Sequence, residues 1–277
     1  MDWARAKSIL IFVFLMLNIF LFVNLRPYYH NSDDTVKSIS VTKKILRERG
    51  YVLGCSIPED FGKAAMIDYQ RAQLDRKTIL DKLLGHIDVL PEIINNTVEF
   101  SKGKKKLTFA VDNNFHFQDQ PDGKLDVGNQ KETEKYILKY LKSLDLGVTD
   151  FYLDYASTNS NKSVTYVFNE KYKDFLLYSS FITVMVSDKG VTDIQSYFIK
   201  VKSLTYTNTK IVPAYQVLIK NFIKGNKSVI RSIDLGFRGL HLGEKGEFSE
   251  NVVWRVKTGD GTKTPRYFSI IDGQPLD

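Results

Sequence analysis

Residues 129–146 read NQKETEKYILKYLKSLDL, and the runs that follow read FYLDY (151–155), VTYVFN (164–169), FLLYSSFITVMVS (175–187) and VTDIQSYFIKVK (191–202). The first segment has helical period. Tyr136, Ile137, Tyr140, Leu141 and Leu144 fall on one face, Asn129 and Glu132 have capping-box spacing, and Gly147 follows the end. Beyond Gly147 the period changes from about 3.6 to about 2, and β-branched and aromatic residues become frequent. The four runs therefore read as a meander of antiparallel strands, with Asp188-Lys-Gly190 as one tight turn. A strong helix beside an antiparallel meander defines an α+β fold.

The same reading extends in both directions. Downstream, Ala214–Ile223 is an amphipathic helix, and short strands fall near Ser228–Phe237, Val252–Thr258 and Arg266–Ile271. Upstream, a helix fits Asp33–Arg49 and ends at Gly50, and Tyr51–Ile57 is a short strand closed by Pro58. A second helix fits Asp75–Leu84, where Ile79, Leu80, Leu83 and Leu84 share a face and Gly85 terminates it. Strands near Thr97–Ser101 and Leu107–Val111 are joined by the basic turn Lys102-Gly-Lys-Lys-Lys106. Turn chemistry at Asp119-Gln-Pro-Asp-Gly-Lys124 then separates two helix-plus-antiparallel-sheet modules, 26–125 and 126–277.

Residues 8–25 read SILIFVFLMLNIFLFVNL, without a charge. Eighteen helical residues rise about 27 Å, close to the roughly 30 Å hydrocarbon core of a bilayer. The segment ends FVNLRP with no small-residue cleavage site, so it reads as a retained anchor rather than a signal peptide. Arg5, Lys7 and the amino terminus precede it, whereas Arg26 alone follows closely. The positive-inside rule therefore places residues 1–7 in the cytoplasm and residues 26–277 outside. The expected location is the cell membrane, crossed once. Asn18 lies at mid-span, flanked on its helix face by Phe14 and Leu21; an amide there finds a partner across to another helix or bonds its own backbone.

The chain carries a net charge of +7 and one cysteine among 277 residues. One cysteine excludes an internal disulfide framework, and Cys55, between Gly54 and Ser56, reads as packing rather than as a nucleophile. The basic surplus reads as surface solvation or as attraction to an anionic surface, for which Lys102, Lys104, Lys105 and Lys106 are the candidate contacts. An outer location argues against nucleic acid as a partner. There is no HExxH or CxxC, and the four histidines are scattered, so no metal site, cofactor or small-molecule substrate is expected. One enzyme pattern occurs in order: Ser40-Val-Thr-Lys43, Ser157-Thr-Asn159 and Lys257-Thr-Gly259, the spacing of penicillin-binding enzymes. S-x-x-K recurs at Ser101–Lys104, and the strands and helix that such a fold needs ahead of its serine are missing. No catalytic residue is assigned.

The opening Met1-Asp-Trp-Ala-Arg-Ala-Lys7, running into the apolar helix with Leu17-Asn-Ile-Phe-Leu21, resembles the start of the YycI (WalI) family. Val212-Pro-Ala-Tyr-Gln-Val-Leu218, Val252-Val-Trp-Arg-Val256 and Arg266-Tyr-Phe-Ser-Ile-Ile-Asp-Gly273 are similar to that family's closing helix and strands. The resemblance implies a regulator without catalysis. It implies as partners the sensor histidine kinase WalK (YycG), which controls cell-wall metabolism in low-GC Gram-positive bacteria, and a YycH-like sister protein, met partly through transmembrane helices. A binding module for anionic wall polymer or lipid is the alternative reading.

Overall fold

The computed structural model describes residues 3, 7, 10–20, 31–59, 62–86, 91–94, 97–110, 114–147, 150–224, 227–239, 246–259 and 264–276. The first half runs α1 (residues 10–20), α2 (Asn31–Glu48), β1 (Tyr51–Leu53), β2 (Ala64–Arg71), α3 (Arg76–Leu84), β3 (Glu92–Ile94), β4 (Thr97–Lys102), β5 (Lys105–Phe109) and β6 (Phe115–Gln118). It continues with α4 (Gln130–Ser143), β7 (Phe151–Thr158), β8 (Val164–Tyr172), β9 (Phe175–Ser187), β10 (Gly190–Tyr197) and β11 (Ile199–Thr207). Then come α5 (Ala214–Asn221), β12 (Ser228–Phe237), β13 (Glu247–Asn251), β14 (Val253–Thr258), β15 (Arg266–Ser269) and β16 (Pro275–Leu276). The fold is mixed α+β and mostly sheet.

Thirteen strands form one sheet, along the path β16-β15-β14-β12-β9-β10-β6-β5-β4-β3, with β1 on β12 and the pair β7–β8 on β9. A second sheet has the order β11-β2-β13. Pairings are antiparallel except β1 with β12 and β12 with β9. The thirteen-residue strand β9 has two working halves. Leu176 and Leu177 pair with β8 on one side and β12 on the other, whereas Phe181–Val186 pair with β8 and β10. Between them the register jumps from Asn169↔Phe181 to Glu170↔Leu177, which leaves Tyr178, Ser179 and Ser180 as a bulge.

Those halves serve different cores. Phe175 and Leu177 join a first core with Leu46 of α2, Ile67 and Tyr69 of β2, Leu218 of α5, Phe237 of β12 and Trp254 of β14. Ile182, Val184 and Val186 join a second core with Ile79 of α3, Leu107 of β5, Phe117 of β6, Ile137 and Leu141 of α4 and Phe168 of β8. Burying each such side chain is worth roughly 1.5–3 kcal/mol, so hydrophobic burial holds both ends of β9. The buried residues of the second core all fall between Ile79 and Phe198, and the first draws on chain to either side of that span together with Phe175 and Leu177 from within it.

The chain crosses between cores at Phe198 and Ile199. The run Val191–Lys202, expected as one strand, is therefore two, β10 in one sheet and β11 in the other. At the crossing the Ile199 amide donates to Ser180 Oγ at 3.3 Å, and the Ala72 amide donates to the Phe198 carbonyl at 3.2 Å. Ala64–Arg71, which carried no strand assignment, is the middle strand of the smaller sheet. On α4 the buried face is Thr133, Ile137 and Leu141, and Tyr136 is 40% exposed, because it sits about 100° round the helix from Ile137. Thr133 is accommodated there by donating to the carbonyls of Asn129 and Asp126.

The remaining helix ends follow the expected chemistry. Asp75 caps α3 by accepting from the amides of Lys77 and Thr78, and Gly85 ends it at φ 71°, a conformation other residues resist. Among the described residues no helix is long and apolar enough to cross a membrane. Within the expected span, α1 covers residues 10–20, and positions 8, 9 and 21–25 lie outside the described residues.

Where β12 meets β9, Gly236 packs against the bulge: an added Cβ would lie 2.7 Å from Tyr178 Cζ, and closer still to the Leu176 carbonyl oxygen. Gly236→Ala is expected to cost about 2 kcal/mol or more through this clash, as equilibrium denaturant unfolding would show.

Candidate functional site

Strand β14 reads VWRVKT, and its alternation sends side chains to two different places. Trp254 and Val256 enter the first core, and the Trp254 indole donates to the Val212 carbonyl at 2.8 Å. Arg255 and Lys257, on the opposite face, are 3% and 5% exposed. Two buried cations two residues apart require anions, because uncompensated buried charge is very costly.

Asp154 of β7 and Asp234 of β12 supply them. Arg255 Nη2 is 2.7 Å from Asp154 Oδ1 and 3.1 Å from Asp234 Oδ2, and Nη1 donates to Asp154 Oδ2 at 3.3 Å. Lys257 Nζ donates to Asp154 Oδ1 at 2.7 Å and to the Asp154 carbonyl at 3.1 Å. Two positive and two negative groups thus balance. Along the ladder β7 and β14 are separated by β8, β9 and β12, four strand spacings or about 19 Å in a flat sheet. Direct contact between their side chains requires the sheet to curl around the cluster.

The bulge of β9 completes the site. The Arg255 guanidinium lies 4.0 Å from the centroid of the Tyr178 ring, whose other neighbour is Tyr267 at 5.6 Å. Asn169 Nδ2 donates to the Tyr178 carbonyl at 3.3 Å while its Oδ1 accepts from Arg255 at 3.4 Å. Ser180 donates to Glu170, and Ser179 donates to the Arg238 carbonyl. Tyr178 Oη and Arg255 Nε have no hydrogen-bond partner among the described residues.

Burial dominates the ionisation at this joint. It lowers the Lys257 ammonium, with the Arg255 charge acting the same way and the bond to Asp154 opposing. It raises the Glu170 carboxyl against the bond from Ser180, and it raises the Tyr178 phenol well above its usual range. Nearby, burial with the Asp234 charge pushes the Cys55 thiol up to about 11, so it stays protonated and poorly nucleophilic at neutral pH. Lysine held by aspartate, with arginine stacked on tyrosine, fixes the relative placement of strands.

The residues singled out from the sequence lie elsewhere. Asn18 Nδ2 donates to the Phe14 carbonyl at 2.8 Å, one turn back in its own helix; Phe14 is exposed, and Leu21 lies outside the described residues. The basic turn folds back onto α3: Lys102 and Lys105 donate to the His86 and Leu83 carbonyls, where a helix C-terminus favours cations. Lys104 is 3.3 Å from Asp122, and Lys106 is 2.8 Å from Glu99. The enzyme-like motifs are dispersed. Ser40 lies exposed on α2, Asn159 donates to Ser163 and Thr165, and Lys257 is held by Asp154. Among the described residues no group of three or more His, Cys, Asp or Glu could hold a metal.

The ion cluster escaped the sequence reading, although a signal was present. Arg255 and Lys257 alternate with apolar residues in a run otherwise fit for a core, and Asp154 and Asp234 each interrupt an apolar strand. Inward cations at i and i+2 announce buried acids somewhere, but not which ones.

Fold and cluster together define a mixed α+β protein whose polar centre holds strands in place. A family model described as YycI protein matches residues 30–269, and the chain belongs to the YycI family. Membership associates it with regulatory accessory proteins of the two-component system headed by WalK (YycG). No curated protein matches it. Among solved structures, the Bacillus megaterium YpeB C-terminal domain aligns at 11% identity and a TM-score of 0.41, covering 72% of this chain and 92% of that one.

Two outcomes are expected of the cluster. Tyr178→Phe removes a buried hydroxyl with no partner, so it should leave stability within about 0.5 kcal/mol or raise it, whereas Asp154→Ala should cost about 3–5 kcal/mol; thermal and denaturant unfolding separate the two. Glu170 is raised in the folded state, so the folded chain binds the extra proton and stability falls as pH rises from about 4.5 through the raised value. Glu170→Gln should therefore be more stable than the parent near neutral pH, the gap closing as pH drops below 4.5.

Proposed function

We propose that this protein is a membrane-anchored, non-enzymatic regulator of the sensor histidine kinase WalK, acting together with a YycH-like partner. Membership of the YycI family, over residues 30–269, carries the reading. Residues 8–25 form its single membrane span, with residues 1–7 in the cytoplasm and the rest outside. The charge asymmetry of Arg5 and Lys7 against Arg26 supports that orientation.

Its influence on the kinase passes through the membrane or through the outer domain. The anchor biases a two-state helix bundle by binding one state better than the other. Phe14, Asn18 and Leu21, at i, i+4 and i+7, form the contact face. The Asn18 amide nitrogen is used by its own helix at Phe14, and its oxygen remains to accept from a neighbour. The wall-polymer reading gains nothing from the basic turn, whose four lysines are each engaged by the protein's own carboxylates or carbonyls.

A photoreactive residue at position 14 or 21 of the full chain, in cells, tests the proposal. The expected adducts are WalK or the YycH-like protein, with yield falling about threefold in Asn18→Leu, the loss of one interhelical amide bond. No adduct, together with no co-purification of either protein, would remove the regulatory reading.

A further inference from the structure

Between Asp34 and Glu48, α2 carries the run Val36-Lys-Ser-Ile-Ser-Val-Thr-Lys-Lys-Ile-Leu-Arg47, with four basic residues and no acid. Successive steps of about 100° place Ile39, Thr42 and Leu46 on one side of the helix, where they are buried. Val36, Lys37, Ser40, Lys43, Lys44 and Arg47 fill an arc of roughly 120° on the other side, and all of them are exposed.

The protein leaves these four cations unused. The side chains of Lys37, Lys43, Lys44 and Arg47 make no hydrogen bond or ion pair among the described residues, whereas all four lysines of the basic turn do. Arg47 lies three and four positions from Lys44 and Lys43, the spacings at which like charges on a helix destabilise it. An anion from outside the chain would relieve that repulsion. The far end of the helix has the same character. Arg49 donates to the Ile219 and Phe222 carbonyls at 2.6 and 3.3 Å, which joins the end of α2 to the end of α5. Just beyond, Ile223 is 70% exposed, and Lys224 and Lys227 are exposed as well.

We propose that this face of α2 lies against the anionic headgroups of the membrane that holds the chain, its ammonium and guanidinium groups paired with lipid phosphates. The inference rests on residues 8–25 being the membrane span. Only residues 26–30 then separate span from helix, a reach of at most about 20 Å, and Pro27 among them disfavours one unbroken helix through both. The tether keeps the face beside lipid at high effective concentration, which favours the bilayer over a free anionic polymer. Lys37 and Arg47 stand about 15 Å apart along the axis, so engaging both requires α2 to lie along the surface. Ile39 and Leu46 belong to the first core, and docking therefore sets the tilt of the outer domain against the bilayer.

Nitroxide labels on the full chain in nanodiscs test the contact, one at Ser40→Cys and one at Phe14→Cys, in separate proteins that also carry Cys55→Ser. The reading is the collision rate of each label with a water-soluble nickel chelate. In phosphatidylglycerol nanodiscs the label at position 40 is expected to collide about fivefold more slowly than in phosphatidylcholine ones, the factor one headgroup-bound lysine supplies. Molar salt should restore the faster rate, and so should Lys37→Glu with Lys44→Glu, at unchanged circular dichroism. Equal collision at position 40 in both lipids, with position 14 shielded, would overturn the headgroup contact and leave the span standing. Free collision at position 14 would remove the span and the proposal with it. If soluble polyphosphate shields position 40 in phosphatidylcholine nanodiscs as well as phosphatidylglycerol does, the face serves a free polymer and the lipid proposal is overturned.

Discussion

Arg255 touches Asp154 across four strand spacings, and the shape of the large sheet depends on that contact. Neither partner could be buried alone. The arginine is placed by β14, whose alternate residues Trp254 and Val256 anchor in the first core, and the aspartate is placed by β7, at the edge of the second. The cluster therefore fixes one core against the other. A buried ion pair of this kind adds little net stability over apolar packing, yet losing one member is severe. Its contribution here is to select one curvature among those a β-sheet can adopt.

Strand β9 makes the same connection through the backbone. Its two halves pack in different cores, and the bulge at Tyr178–Ser180 turns between them. At that bulge Ser180 accepts from Ile199 just where the chain passes from one sheet to the other. Two covalent crossings and one electrostatic one thus meet within a few residues. Joined in this way the two cores form one body, which is what the proposed regulatory role requires.

Much of this fold could be read from the chain, and the parts that could not share a cause. The cap at Asn129, the strand limits of β9 and β12 and the terminating Gly85 are local, so period and cap chemistry sufficed. Strand β2 begins Ala-Ala-Met, with no local strand bias, and is a strand because β11 and β13 pair with it on both sides. Its partner Thr207 lies far along the chain from Ala64, and no local pattern encodes that pairing. The division of Val191–Lys202 had the same origin: the alternation continues through Phe198, but the partners change there. In the cluster, residue types were visible and pairings were not. Charges in apolar strands mark a buried polar site, and topology alone decides which acid meets which base.

Native-state hydrogen exchange on the full chain, comparing amides of β2 in the first core with those of β5 in the second, tests most directly whether β9 and the cluster bind the two into one unit. The expected result is a common opening free energy for the slowest amides of both strands, equal to that of global unfolding. Opening of β5 at a markedly lower free energy, with β2 still protected, would show that the cores unfold separately and contradict the account.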